Sequence, residues 1–157
     1  QAIRHYQQVE IQDPEYISEV LQPVAECYRQ LNQEYQLIDY LQQLLAKYPR
    51  ISCVLMLARE IQKKQGIVAA VQFIKRYLQN NPSVRGLKRL IELQLHTADL
   101  ELKEQLDILN EVAQKVLENK PIYRCQECGF DSKTLHWLCP HCRQWSTQKP
   151  IHGLEGD

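Results

Sequence analysis

One spacing recurs four times along the chain and restricts the fold more than any other feature of the sequence. Prolines at four positions are each preceded by three apolar residues at the same distances. The four sets, each spaced by four, three and five residues, are Ala2-Tyr6-Val9-Pro14, Leu37-Leu41-Leu44-Pro49, Ala70-Ile74-Tyr77-Pro82 and Leu109-Ala113-Val116-Pro121. Steps of four and three put the apolar side chains on one face of an α-helix, and the proline marks where that helix has ended.

A second apolar pattern lies ahead of the first in three of the four cases. Its sets, each spaced by three, one and three residues, are Leu21-Val24-Ala25-Tyr28, Val54-Leu57-Ala58-Ile61 and Leu87-Leu90-Ile91-Gln94, and only Gln94 among them is polar. Together the two patterns predict pairs of antiparallel helices that recur every 33 to 35 residues, with a longer last interval of 39 residues between Pro82 and Pro121. In this they resemble tetratricopeptide repeats. We therefore expect a mainly α fold, with a tetratricopeptide-type solenoid over residues 1–120 that begins inside a second helix and is truncated upstream.

The first helices of such a solenoid line its concave surface, where these folds commonly bind partners. Four basic residues on the predicted first helices lie away from the apolar stripe and come from neighbouring repeats. They are Arg59, Lys63, Arg85 and Lys88. The alternative interpretation is that these side chains only solvate the helices. We expect this surface to bind a protein partner.

The remaining segment, residues 121–157, is organised by two Cys-x-x-Cys pairs, Cys125 with Cys128 and Cys139 with Cys142. Two residues between cysteines let both thiolates of a tight turn reach one ion, and ten residues between the pairs suffice for a short hairpin. Four thiolates suit one tetrahedral ion, iron or zinc. Paired disulfides are the alternative. Because four protein ligands leave no open position, we predict a closed, non-catalytic metal site.

A segment of this size cannot bury a core of its own, even with a metal. Its apolar side chains, which include Trp137 and Trp145, therefore need a second surface to pack against. We expect the segment to form a rubredoxin-like metal-binding domain that docks on the last helices of the solenoid. At least one of the two tryptophans should pack there.

The charge balance limits the classes of function. The chain has 19 basic residues (Lys and Arg) against 19 acidic ones (Asp and Glu). Modules that bind nucleic acid usually show a basic excess, because phosphate neutralisation supplies most of their affinity, so no nucleic-acid partner is expected. No apolar run approaches the roughly 18 residues that span a bilayer. The sequence offers no discernible nucleophile–base pair or glycine-rich phosphate loop, and we do not expect an enzyme.

Three motifs of the tail name a family. They are Tyr-Arg-Cys-x-x-Cys-Gly-Phe from Tyr123, Trp-x-Cys-Pro-x-Cys-Arg-x-Trp-Ser-Thr from Trp137, and Lys-Pro-Ile-x-Gly-Leu-x-Gly from Lys149. The cysteine pairs look like those of rubredoxin, and the whole chain resembles the lipopolysaccharide assembly protein B family. That resemblance implies that the four cysteines hold a rubredoxin-type metal, usually described as iron. It also implies an inner-membrane protein whose N-terminal anchor, absent here, holds the repeats in the cytoplasm.

The resemblance further implies a regulatory function. The family restrains lipopolysaccharide synthesis by promoting the degradation of the deacetylase that commits precursor to lipid A, and the degrading enzyme is a membrane-bound AAA+ protease. The implied partners are this protease, the deacetylase and other lipopolysaccharide-assembly proteins. The implied location is the cytoplasmic face of the bacterial inner membrane, with the present chain itself soluble.

Two other functions compete with this non-enzymatic adaptor. The first is an electron-transfer module that uses a rubredoxin-like iron site. Against it stand Arg143, where rubredoxins have glycine, and a loop between the cysteine pairs that is much shorter than theirs. The second is a nucleic-acid-binding ribbon, which would need basic and aromatic residues exposed together.

Overall fold

The structure is a computed structural model that describes residues 2–157. Within that range, seven α-helices and one 3₁₀ helix (Pro14–Tyr16) precede three short strands. The α-helices are α1 (Ala2–Gln12), α2 (Ile17–Gln30), α3 (Glu34–Lys47), α4 (Ile51–Gln65), α5 (Ile67–Asn80), α6 (Val84–Leu95) and α7 (Leu100–Glu118). The strands are β1 (Tyr123–Cys125), β2 (Asp131–Ser132) and β3 (Gln148–Pro150).

The helices pack in sequence as antiparallel pairs, with α2–α3, α4–α5 and α6–α7 forming three repeats and α1 preceding them. The predicted apolar stripes of α2 to α5 form most of the core. Leu37, Leu41 and Leu57 are buried in a larger cluster, and Ala70 and Ile74 in a smaller one. The prediction of a mainly α chain with a small four-cysteine tail is confirmed. Among residues 2–157, no helix is both long enough and apolar enough to cross a membrane.

Local sequence accounts for several helix boundaries. The side chain of Ser83 accepts the N–H of Gly86 at the start of α6, and that of Asp99 accepts the N–H of Leu102 at the start of α7. These caps satisfy helix N–H groups that have no partner within the helix. Gly66 alone separates α4 from α5, at a φ of 88° that costs glycine little.

The tail is a three-stranded antiparallel sheet in the order β2-β1-β3. In its register, Tyr123 lies opposite Ser132 on β2 and Pro150 on β3. The buried Gln148 of β3 accepts the N–H of His136 through its side-chain oxygen at 2.8 Å. This hydrogen bond ties the loop between the two cysteine pairs to the sheet.

The tail packs along the edge formed by the beginnings of the first helices α2, α4 and α6. Three hydrogen bonds define this contact: Tyr123 hydroxyl to Glu19 Oε1 at 2.7 Å, Ser52 N–H to Asp157 Oδ1 at 2.9 Å, and Val84 N–H to the Leu154 carbonyl at 2.8 Å. Just beyond α7, Lys120 pairs with Glu155 at 2.8 Å. The tail therefore contacts the last repeat and also the first helices of both earlier repeats.

The expectation that a tryptophan packs on the final helices is wrong. Trp137 packs against Tyr16, just before α2, with the ring centroids 5.3 Å apart, and it remains 54% exposed. Trp145 is 70% exposed. The reason is the path of the tail. The hydroxyl of Tyr16 donates to the carbonyl of Gln148 at 2.6 Å, which places this side of the tail at the start of α2, away from α6 and α7.

Candidate metal centre

The four cysteines come from two turns that share one hydrogen-bond pattern. In each turn, the N–H of the residue after the second cysteine donates to the carbonyl of the first cysteine. The N–H of the first cysteine in turn donates to the carbonyl of the residue two places after the second cysteine. These bonds are Gly129 N–H to Cys125 at 3.0 Å, Cys125 N–H to Phe130 at 2.9 Å, Arg143 N–H to Cys139 at 2.9 Å and Cys139 N–H to Gln144 at 2.9 Å.

Both turns need a left-handed residue immediately after the second cysteine. Gly129 has a φ of 74° and Arg143 a φ of 59°. Glycine adopts this conformation freely, whereas an L side chain is strained there. The absence of glycine after the second pair thus leaves the turn intact, with strain at Arg143. Having Arg143 where rubredoxins have glycine therefore raises the conformational energy of the turn but leaves its hydrogen-bond pattern unchanged.

The four sulfur atoms lie within 4.8 Å of one another. The Sγ atoms of Cys125 and Cys142 are 3.7 Å apart, as are those of Cys128 and Cys139. A disulfide would need an S–S distance of about 2.05 Å, so the thiols are free. Four sulfurs at roughly 2.3 Å from a tetrahedral ion would be about 3.8 Å from each other. The sulfur cluster therefore has the size that one tetrahedral iron or zinc ion requires.

Hydrogen bonds prepare one thiol for ionisation. The Cys125 thiol donates to the Thr147 hydroxyl oxygen at 3.2 Å. When the sulfur is ionised, the same hydroxyl group can donate to it and so favours the thiolate. With the backbone N–H groups of Cys128 and Glu127, this hydroxyl lowers the pKa of Cys125 to about 6. Thiolate is the form that binds a metal.

The pKa values of two neighbouring thiols, Cys128 and Cys142, are instead raised. Loss of solvent raises the pKa of Cys128. The N–H of Gln144 acts to lower the pKa of Cys142, but loss of solvent and the other three thiols outweigh it and raise that pKa to about 12. Several negative sulfurs at this spacing repel one another. A bound cation stabilises all four thiolates together, which is the usual basis of such sites.

The surroundings of the cysteines define a closed site. The ring of His141 stacks on Phe130, with centroids 6.3 Å apart and planes 4° from parallel, so it packs between the turns and does not extend the ligand set. Four sulfur ligands leave no coordination position for water or substrate. Cys125 and Cys139 are buried, whereas Cys128 and Cys142 are half-buried. Such a site can stabilise a fold and, with iron, exchange one electron.

The basic residues predicted to bind a partner do not form a free patch. Lys63 pairs with Glu60 at 3.0 Å, Lys88 with Glu92 at 3.3 Å, and Arg85 lies 3.6 Å from Asp157. Arg59 is exposed and makes no ion pair within residues 2–157. Arg59 and Arg85 line one groove of about 290 Å³ between α2, α4 and α6, the first helices, which line the concave side of such a solenoid. Lys63 and Lys88 lie outside the set that lines it.

Two acidic residues that the sequence did not single out organise this surface. Glu60 is 1% exposed and receives Arg29 at 2.8 Å as well as Lys63. Asp157 accepts a hydrogen bond from the N–H of Ser52 and forms an ion pair with Arg85. It also lines a second cavity of about 350 Å³ beneath the tail. Neither residue belongs to a motif, and no spacing in the sequence indicates that a distant segment meets it.

Comparison with known proteins gives matches in both parts of the chain. Residues 123–150 match the family described as the rubredoxin metal binding domain. A protein named lipopolysaccharide assembly protein B from Escherichia coli (strain K12) is 39% identical over 156 residues, which cover 99% of this chain and 40% of the relative. The protein of that name from Haemophilus influenzae is 32% identical over 160 residues, covering 99% and 39%. The chain spans about two fifths of the length of these curated relatives.

Proposed function

Because this chain belongs to the lipopolysaccharide assembly protein B family over the part of the family's length that it spans, we propose that it is a non-enzymatic adaptor in lipopolysaccharide assembly. The observation that carries the proposal is the attachment of the metal-binding tail to three successive first helices, through Glu19, Ser52 and Val84. An adaptor needs a surface whose parts keep fixed positions. A tail attached at three repeats supplies one.

The proposed action is to bring two proteins together. The chain binds the deacetylase that commits precursor to lipid A and presents it to a membrane-bound AAA+ protease, so that degradation limits lipopolysaccharide synthesis. Other lipopolysaccharide-assembly proteins are further partners. The full-length protein acts at the cytoplasmic face of the inner membrane, held by an anchor outside this chain. The closed metal site supports this assignment, because it leaves no position at which a substrate could bind.

The metal has a structural role in this proposal. Cys125, Cys128, Cys139 and Cys142 hold one iron or zinc ion, and the ion fixes the two turns that carry them. The segment that follows is then positioned to contact the solenoid. The absorption spectrum of the purified protein separates the two metals, because a ferric tetrathiolate is red and a zinc one is colourless.

The proposed partner surface is the concave groove, with Arg59 as its free charge. Arg85 lines the same groove, and Lys63 and Lys88 lie on the same helices α4 and α6. Exposed basic groups on a concave face speed the encounter with an acidic partner and help to select it. The apolar floor, which includes Leu55 and Met56, provides area for contact.

Charge reversal tests this assignment. Arg59→Glu should weaken binding of the purified deacetylase by about tenfold at low salt, mostly through slower association, and the difference should shrink as salt is added. Arg76→Glu is the matched control, because Arg76 is also exposed but lies on α5, a second helix. Equal binding by both variants would show that the concave groove is not the partner surface. Melting curves must establish that both variants remain folded.

Electron transfer is the second candidate, and one observation favours it. Cys128 and Cys142 are half-buried, so one edge of the site is close to solvent, where a redox partner could approach. Replacing the native ion with zinc removes the redox activity and keeps the fold. If zinc-loaded protein supports deacetylase degradation as well as native protein does, the electron-transfer function is rejected. If it fails while remaining folded and bound to its partners, the adaptor function is insufficient.

A further inference from the structure

The outer end of the last repeat exposes apolar residues at positions that are buried in the other repeats. Leu87 on α6 is 47% exposed, although Leu21 and Val54 occupy the same position in the earlier first helices and are 2% and 0% exposed. The same is true of α7. Leu109 is 53% exposed, whereas its equivalents Leu37 and Ala70 are both fully buried.

Within the solenoid, the equivalents of Leu109 share apolar clusters with the first helix that follows. Leu37 lies in one apolar cluster with Cys53 and Leu57 of α4. Ala70 lies in another with Leu93 of α6. After α7 the chain turns away into the metal-binding tail, which packs at the beginnings of α2, α4 and α6. The last repeat therefore has the same apolar face that a following first helix covers in the earlier repeats. Within residues 2–157, no helix follows α7 to cover this face.

This face continues along α7 as one stripe. Leu102, Leu109 and Val116 recur at seven-residue spacing, with Ile108 and Val112 beside them. All but Val116 are exposed by 44% to 64%. Fourteen residues of helix from Leu102 to Val116 correspond to about 21 Å. Terminal repeats of solenoids normally have polar outer faces, and an apolar stripe of this length indicates a binding surface.

The charges of α7 are mainly acidic, whereas α6 has three basic residues, Arg85, Lys88 and Arg89, and one acidic residue, Glu92. Helix α7 has five acidic residues and two basic ones. On a helical projection at 100° per residue, Glu104 and Glu111 follow the stripe on the side away from the groove between α6 and α7, and Glu101 lies between Ile108 and Val112. Lys115, the basic residue on that side, is only 3.9 Å from Glu111. The edge therefore favours a partner with basic side chains.

We propose that this face of α6 and α7 binds one amphipathic helix of a partner protein, with an apolar stripe and basic residues along one side. The helix takes the place that a following first helix would occupy. It covers Leu87, Leu109 and Val112, and its basic residues face the acidic edge of α7. A second copy of this chain is disfavoured as the occupant, since two α7 faces would bring like charges together. This site is separate from the concave groove, so the two proposals stand or fall independently.

The test uses the sequence of α4 as a probe, because α4 is the first helix that follows the α2–α3 pair. A hydrocarbon-stapled peptide of residues 51–65, with Cys53→Ser, has an apolar stripe and three basic residues, Arg59, Lys63 and Lys64. Stapling is needed because isolated helices of this length are marginal in water. The peptide is titrated with the metal-loaded chain, and binding is followed by fluorescence anisotropy.

We expect saturable binding that Leu109→Gln and Val112→Gln each weaken by about tenfold or more, as is typical of central apolar contacts. Val68→Gln is the matched control, since Val68 is 67% exposed on α5, and it should bind as the unmodified chain does. A peptide with the three basic residues replaced by Glu should also bind about tenfold less tightly.

Three outcomes overturn the proposal. The first is no saturable binding by the basic peptide. The second is equal binding by the charge-reversed peptide, because the acidic edge would then have no part in recognition. The third is a dimer in sedimentation velocity that Leu109→Gln dissociates, because a second copy of the chain would then be the occupant. Thermal melts of each variant establish that a loss of binding is not a loss of fold.

Discussion

At the scale of single residues, Gly129 and Arg143 occupy equivalent places in the two cysteine turns and differ in how easily they adopt them. A side chain added at Gly129 would meet no atom within 4 Å, so the cost of substitution there is conformational only. Gly129→Ala should lower the free energy of unfolding by about 1–2 kcal/mol. Arg143→Gly should leave it unchanged or raise it by up to about 1 kcal/mol, because strain is relieved but chain entropy increases.

Thermal unfolding of the metal-loaded variants measures both changes. The two substitutions are controls for each other, since they lie at matching positions of the two turns. One adds a side chain where φ is positive, and the other removes one. If Arg143→Gly were as destabilising as Gly129→Ala, then the Arg143 side chain would make a contact that outweighs its backbone strain.

Glu60 is a buried carboxylate between two cations. Burial raises its pKa, but hydrogen bonds from Arg29 and Lys63 outweigh burial and lower the pKa below its ordinary value. Because the folded pKa is lower than the unfolded one, its ionisation stabilises the fold fully above the unfolded value of about 4.3. That stabilisation is lost as the pH falls through the folded pKa.

Glu60→Gln should therefore lower the free energy of unfolding by about 2 kcal/mol near pH 7, and the gap from the unmodified chain should narrow in acid. Chemical denaturation at a series of pH values measures this gap. Glu26→Gln is the control, because Glu26 also faces Arg29 but is 55% exposed and 3.6 Å away, and its effect should stay below about 1 kcal/mol. A gap for Glu60→Gln that is constant from pH 7 to pH 3 would mean that its charge has no part in stability.

At the scale of elements, residues 151–157 form a strap across the beginnings of α4 and α6. The carboxylate of Asp157 accepts both the backbone N–H and the hydroxyl of Ser52 and lies 3.6 Å from Arg85. A carboxylate is favoured at the N-terminus of a helix, where free N–H groups and the helix dipole are both positive. The strap thus joins two repeats through an ordinary helix-capping interaction made by a distant residue.

Asp157→Ala should reduce the free energy of unfolding by about 1–3 kcal/mol, the range for a lost hydrogen bond to a charged group. Hydrogen exchange at Val84 should speed up, because its N–H donates to Leu154 within the same strap. Glu155→Ala is the control, since the side chains of the Lys120–Glu155 pair are 46% and 36% exposed and the pair should contribute less than about 1 kcal/mol. Unchanged exchange at Val84 in Asp157→Ala would show that the strap is held mainly by its other contacts.

At the scale of the whole molecule, we expect the metal site to determine whether the tail can hold the repeats together. The tail's own strands are two or three residues long, too short to be stable alone. Its attachments to α2, α4 and α6 need the tail to be folded. Loss of the metal should therefore destabilise the beginnings of three helices that are distant from the cysteines in sequence.

Cys142→Ser should lower the metal content below one ion per chain and reduce stability by several kcal/mol. Hydrogen exchange should increase at Ser52 and Val84, whose N–H groups donate to the tail, more than in the middle of α3. Cys27→Ser is the control, because Cys27 is a free, half-buried thiol outside the site. Full metal content and wild-type stability in Cys142→Ser would contradict a structural role for the ion.

The sequence alone determined the features that depend on near neighbours in the chain. Steps of three and four residues define a helix face wherever they occur, so the stripes of Leu37, Leu41 and Leu44 could be placed before the fold was known. Two residues between cysteines define a turn that directs both sulfurs to one point. Both features arise from backbone geometry within a few residues, and both are present in the structure.

Only the tertiary structure decided which distant segments meet. Tyr123 reaches Glu19 across 104 positions, and Ser52 reaches Asp157 across 105. These pairings depend on the direction in which the tail leaves α7, which no local spacing encodes. The same holds for Leu87 and Leu109, whose pattern predicts burial but whose exposure depends on whether a further helix follows. A periodic pattern specifies which face of a helix is apolar, and the packing of other segments decides whether that face is covered.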